Sequence, residues 1–234
     1  MRSPFAAAIA LACASCASAN VVYSDGTFSN ADWGFELVSV NGSTGSANSS
    51  QSVAGGNPGS SRQTFVTQGT QVNGVTYAVN RFGTTQASRY VPSVSGAITS
   101  LNFSVDARFD SPPPSIFLAG VFAMVKQDNR VYVFNTGAIF SNTGWQTFSS
   151  TGLTANAFSQ ISGTSAPLDF SAAGAPLRFG YAIFVGDGVS VRTGEVFIDN
   201  FNLEVVAVPA PAAGALAMLG ATTLLLRRRT YHRA

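Results

Sequence analysis

Histidine and cysteine are nearly missing from this 234-residue chain. The one His, His232, stands near the C-terminus, and the two Cys, Cys13 and Cys16, stand near the N-terminus. Residues 20–208 lack both, which excludes Ser-His-Asp and Cys-His nucleophilic systems there and removes the usual zinc ligands. Charge is also scarce, at 10% Asp, Glu, Lys and Arg. The formal net charge of +2 comes from the ends, where Arg2, Arg227, Arg228, Arg229 and Arg233 lie; between them, eight basic residues face eleven acidic ones. No basic stretch interleaved with aromatics runs along that segment, so nucleic acid is not an expected partner. Helical periodicity is missing too: no window between residues 20 and 208 sustains it over three turns. A Gly-rich phosphate loop therefore has no helix to open. The length suits one domain, large enough to hide about 70% of its unfolded surface without disulfides.

What the chain does have is strand patterning, in which apolar residues alternate with polar ones. Leu101, Phe103, Val105, Ala107 and Phe109 alternate with Asn102, Ser104, Asp106 and Arg108, and Leu177, Phe179, Tyr181, Ile183 and Val185 form a second set. Residues 116–125 are apolar on both faces, as a central strand is. Further strands are expected over 33–40, 62–67, 75–82, 130–134, 145–149 and 195–206. Turn clusters such as Asn41-Gly42 and Gly186-Asp187-Gly188 separate them. Many short strands predict an all-β, two-sheet antiparallel sandwich over residues 20–206. Residues 41–61, rich in Gly, Ser and Asn, read as a flexible surface loop.

The two ends read as addresses. Arg2, the apolar run Phe5–Ala12 and the small residues Ala17 and Ala19 have the layout of a secretory signal peptide over residues 1–19, cut before Asn20 by signal peptidase. A lipoprotein signal would want Leu three residues before its Cys; Ala10 and Cys13 occupy those places. At the other end, Val208-Pro209-Ala210-Pro211 precedes an apolar run, 212–226, and Arg227-Arg228-Arg229. Fifteen helical residues span about 22 Å, short of the roughly 30 Å hydrocarbon core but able to insert as a short transmembrane helix with local thinning. The arginines then stay cytoplasmic.

Pro-x-Pro, a short apolar helix and an Arg cluster over residues 207–234 resemble a PEP-CTERM sorting signal. The resemblance implies bacterial export, transient anchoring in the inner membrane and cleavage near Pro209–Pro211 by an exosortase-type transpeptidase. Release to the cell surface, outer membrane or extracellular matrix would follow, in exopolysaccharide-producing, biofilm-forming cells. The namesake Glu is replaced by Ala210. A plain C-terminal membrane anchor is the alternative reading of the same residues.

Near the end of the sandwich, alternation places Asp199 on one face with Phe197, Phe201 and Leu203. A carboxylate in an apolar row needs a hydrogen bond, an ion pair or a metal, unless it lies at the wet margin of the sheet. The ending Phe197-Ile-Asp199-Asn200-Phe-Asn-Leu203, the opening Asp25-Gly-Thr-Phe28 leading to Trp33, and the Gly55-Gly-Asn-Pro-Gly59 turn resemble the jelly rolls of galactose-binding-like and carbohydrate-binding modules. That resemblance implies first and last strands lying side by side. It also implies a structural Ca²⁺ on Asp199, with Asp25 or Glu36 as a second ligand; no other cofactor is expected. Glycan stacking needs exposed aromatics, and Trp145, Tyr132 and Tyr90 are the candidates, whereas Trp33 reads as core. No two carboxylates stand out as a matched pair for glycoside hydrolysis, so a non-enzymatic protein is expected. Two readings of the sandwich remain open: glycan binding in the exopolysaccharide matrix, or a structural, self-associating role.

Overall fold

The computed structural model describes residues 19–111, 118–140 and 142–208. They form twelve antiparallel strands in two sheets, a jelly-roll β-sandwich with one short helix, α1 (Pro92–Ser95). Sheet I runs β3 (Ser46–Gly56), β4 (Gly59–Gln68), β12 (Arg192–Val208), β6 (Ala97–Asp110), β9 (Gln146–Leu153). β1 (Ala19–Asp25) also lies on β12: β12 meets β4 through residues 192–198 and β1 through 201–207, while β6 follows it along the other edge. First and last strands are thus neighbours. Sheet II runs β10 (Ser159–Ser162), β8 (Arg130–Phe140), β7 (Leu118–Gln127), β11 (Leu177–Gly186), β5 (Val75–Phe82), β2 (Trp33–Val40).

The main core lies between the sheets and follows the alternation. Leu101, Phe103, Val105, Ala107 and Phe109 of β6 face Leu177, Phe179, Tyr181, Ile183 and Val185 of β11 in one buried cluster. Trp33 is in its middle, with ring centroids of Phe28, Phe82, Tyr181 and Phe201 at 5.1–5.4 Å. Each such pair adds about 0.5–1.5 kcal/mol beyond area burial. Arg62 also points inward and is 2% exposed. It donates to Asn80 Oδ1 (3.2 Å), Asn30 Oδ1 (2.6 Å) and the Ser49 carbonyl (3.2 Å), so neutral acceptors hold a buried cation.

Two expectations are corrected. Residues 41–61 are mostly not loop: β3 and β4 form a hairpin closed at the cis Asn57-Pro58 bond. β3 is an edge strand with one neighbour and polar residues on both faces, so it has no apolar alternation to read. Phe197 and Asp199 do not share a face with Phe201 and Leu203. Between Asp199 and Asn202 the register slips, with Asn200 at φ 50°. One extra residue flips the face of everything after it. Val196 and Ile198 point into the core before the bulge, and Phe201 and Leu203 after it.

Among the described residues no helix is long and apolar enough to cross a membrane. The signal-peptide residues before Ala19 and the tail from Pro209 onward, with its 212–226 run and Arg227–Arg229, lie outside the described residues.

Candidate functional site

The outer faces of the two sheets differ in chemistry. On sheet I, Asn102, Ser104, Ser149, Thr151, Asn202 and Glu204 line a shallow polar surface. Asn20 and Asn102 both donate to the Glu204 carboxylate, at 2.6 and 2.8 Å. On sheet II, the registers place Tyr77 beside Phe184, and Phe122 one step along. Their rings form a half-buried cluster with centroids 5.4–5.7 Å apart; Tyr77 meets both phenylalanines edge-on. Gly120 makes room: a Cβ there would lie 2.6 Å from Phe122 and 3.1 Å from Phe184.

Sheet II is strongly concave on this outer face. Its two edge strands, β10 and β2, come within 8 Å of each other, Cα to Cα. Val79, Met124 and Ala182 form a buried floor, flanked by Val131 and Val133 and packed by Val38, Tyr77, Phe122 and Ile161. At Gly180 no side chain fits, since a Cβ would meet the Asn80 carbonyl at 2.0 Å. Across the floor, Lys126 of β7 is ion-paired with Glu36 of β2, although two strands separate them. Arg81 approaches the same Glu36 oxygen at 3.8 Å.

Beyond this bar lies a pocket of about 160 Å³ lined by Arg81, Arg89, Lys126, Asp128, Pro176 and Arg178. Arg178 donates to the Gly83 carbonyl and, at 3.2 Å, to that of Thr84. Burial, reinforced by the charges of Arg89 and Arg81, holds its pKa below the usual guanidinium value. The outer face of sheet II thus carries rings on one side and cations on the other of the buried Val79, Met124 and Ala182. Lys126 is four positions along β7 from Phe122, about 13 Å.

The residues expected to stack on sugars lie elsewhere. Tyr132 and Tyr90 are each 1% exposed, and their hydroxyls donate to the carbonyls of Ala166 and Gly96, both at 2.8 Å. Both are core residues with no free ring face, because their positions in β8 and before α1 point inward. Trp145 is half-buried just before β9, and the Arg108 guanidinium lies 5.2 Å from its ring and 4.5 Å from that of Phe197. Trp33 is core.

The three expected calcium ligands do not converge. Asp199 is 1% exposed and accepts the Asn57 N–H (2.5 Å) and its neighbour's, Asn200 (2.7 Å). It locks the β3–β4 turn to the β12 bulge, a hydrogen-bonded structural role. Asp25 takes the N–H of Thr27 (2.7 Å) and Phe28 (3.1 Å), the Thr27 hydroxyl (2.8 Å) and Trp33 Nε1 (2.7 Å). Burial pushes its carboxyl up, but these donors outweigh that and hold it below the usual carboxylate value. Glu36 lies on the outer face of sheet II. Among the described residues no three His, Cys, Asp or Glu gather as a metal site.

Sequence reasoning missed Tyr77, Phe122 and Phe184. A signal existed for two of them. Phe184 is out of phase with the inward set of β11, and Phe122 falls in a run apolar on both faces. A second buried cluster outside the sandwich explains both.

No family model matches the sequence, and no curated protein matches it either. Among solved structures, the chain is similar to a family 11 carbohydrate-binding module from Clostridium thermocellum, in complex with a beta-1,3-1,4-mixed-linked tetrasaccharide. Identity there is 14%, over 81% of this chain and 98% of that one, with TM-score 0.43. It is similar also to the CBM22-1 xylan-binding domain of a Paenibacillus barcinonensis protein, 10% identical over 82% and 98% of the two chains, TM-score 0.39. A Shewanella oneidensis protein of unknown function is 14% identical over 85% and 91%, TM-score 0.40.

Proposed function

We propose that this is an exported, non-enzymatic protein whose sandwich holds polysaccharide on the outer face of sheet II. The observation that carries the reading is the half-buried Tyr77–Phe122–Phe184 cluster, on the same outer face as a charged bar and a polar pocket. Ring faces offer a sugar its apolar surface, while charged and amide groups take its hydroxyls. The absence of His and Cys from residues 20–208 supports a binding rather than a catalytic role. The tail, with its Pro-x-Pro, apolar run and Arg cluster, supports sorting through a PEP-CTERM-like signal to the cell surface or matrix.

The test is retention of the full chain on a panel of immobilised polysaccharides, including those of the host cell. Tyr77→Ala and Phe184→Ser should each weaken retention about tenfold, while near-ultraviolet circular dichroism stays that of the folded sandwich. Trp145→Ala should leave retention unchanged. Retention that ignores Tyr77 and Phe184 refutes the site on sheet II, and loss on Trp145→Ala alone moves it to sheet I.

A further inference from the structure

The eight basic residues between the two ends are spread along the sequence, yet the fold collects most of them in one place. Arg81, Arg89, Lys126 and Arg178 line one pocket, and Arg130 reaches its rim by binding Asp128 at 2.6 Å. Two carboxylates answer these five cations. Asp128 is taken by Arg130, and Glu36 is shared between Lys126 and Arg81. Arg178 uses two of its five donors on backbone carbonyls. Arg81 Nε and Arg89 Nε are buried and donate to no acceptor among the described residues. Like charges gathered this way repel one another, and a buried donor without an acceptor is costly. Both costs fall when an anion enters.

We infer that the pocket of Arg81, Arg89, Lys126 and Arg178 binds the carboxylate or sulfate group of an acidic polysaccharide held on the outer face of sheet II. The inference rests on the proposed polysaccharide-binding reading and names its ligand class. Guanidinium groups suit these anions because their planar forks bind two oxygens at once. Glu36 then acts as a built-in competitor: it neutralises Lys126 and Arg81 when the pocket holds no ligand and releases them to an incoming anion.

The experiment measures affinity of the full chain for polygalacturonate and dextran sulfate, for their uncharged counterparts, fully methyl-esterified pectin and dextran, and for single-stranded DNA. Binding to a charged polysaccharide, weakened by salt and at least tenfold stronger than to its uncharged counterpart, is expected; the polymer retained identifies the group. Arg89→Gln should weaken it about tenfold, as loss of a charged hydrogen bond does. Glu36→Gln should strengthen it several-fold, a gain that a merely structural role would not produce. Equal binding to charged and uncharged polymers, untouched by either variant, overturns the anion site and leaves polysaccharide binding standing. Retention of DNA alone, or of nothing, overturns both.

Discussion

Asp25 gives the sharpest stability test, because one carboxylate there closes a turn and anchors the core at once. Its Oδ1 takes both donors of Thr27, and its Oδ2 takes Phe28 N–H and Trp33 Nε1. Asp25→Asn replaces one oxygen by an amide NH2. The amide turns its oxygen to Phe28 and Trp33 and its nitrogen to Thr27, whose hydroxyl can accept, so the Thr27 N–H faces a donor and the charge behind the other bonds is lost. A hydrogen bond to a charged group is worth about 1.5–3 kcal/mol net, and an orphaned buried donor costs a similar amount. Trp33 is 3% exposed, so the amide oxygen is held on the side of its indole N–H. A loss of about 1.5–3 kcal/mol at pH 7 follows, which lowers Tm by roughly 3–12 °C in a domain of this size. Urea titration and calorimetry measure it, and the near-ultraviolet signal of Trp33 reports whether the ring stays packed. The folded carboxyl titrates below its unfolded value, so its contribution is complete above the unfolded pKa and fades as pH falls through the folded one. The gap between wild type and variant should therefore close in acid. A cost under about 1 kcal/mol at pH 7, or a gap that persists unchanged at pH 2, would refute the reasoning.

Other consequences are as direct. Asp187 ties three loops together through the Ser43 hydroxyl (2.7 Å) and the N–H groups of Thr44, Gly69 and Gln71 (3.1–3.2 Å). Burial raises its pKa, but those donors prevail and hold it low. Asp187→Asn should thus lose stability at neutral pH and flatten the acid limb of the stability profile. Asn80→Ala removes a neutral acceptor from buried Arg62 and should cost about 1.5–3 kcal/mol in urea unfolding. Gly120→Val should cost about 1–3 kcal/mol by overpacking and weaken polysaccharide retention with it. Mass spectrometry of protein from the native cell should find no peptides from Ala212 onward; abundant intact tail would make residues 208–229 a plain anchor.

The fold was legible where one face of a strand meets the core and the other meets water. Residues 33–40 and 75–82 fall on β2 and β5 to the residue, and the alternation in β6 and β11 is the one the core uses. It was illegible where that condition fails. β3 buries little on either face, β10 is four residues long, and β1 takes its identity from a partner 184 residues away in sequence, as Asn20 and Glu204 illustrate. At Asp199 the period-2 rule predicted the wrong face because a bulge adds one residue without a trace in the pattern. The outer face of sheet II was hidden for a different reason. Its rings come from β5, β7 and β11, and its cations from positions 81, 89, 126 and 178, so neither is a motif until the sheet curls. Tyr90 and Tyr132 misled because a polar neighbourhood in sequence does not keep a tyrosine at the surface when a backbone carbonyl waits for its hydroxyl.

The pairing of β1 with β12 also sets how the sandwich bears load. Ala19 faces Ala207 and Asp25 faces Phe201, so the described chain starts and finishes side by side at one corner of sheet I. Tension between those two ends would open the β1–β12 ladder like a zipper, one rung at a time, the weak geometry for a pair of strands. On the proposed function, tension between a polymer bound at sheet II and the end of β12 takes another route. It pulls along a 17-residue strand gripped by β6 on one edge and by β4 and β1 in turn on the other. The rungs are then sheared together, so a domain tethered through Val208 resists drag far better than one stretched from end to end.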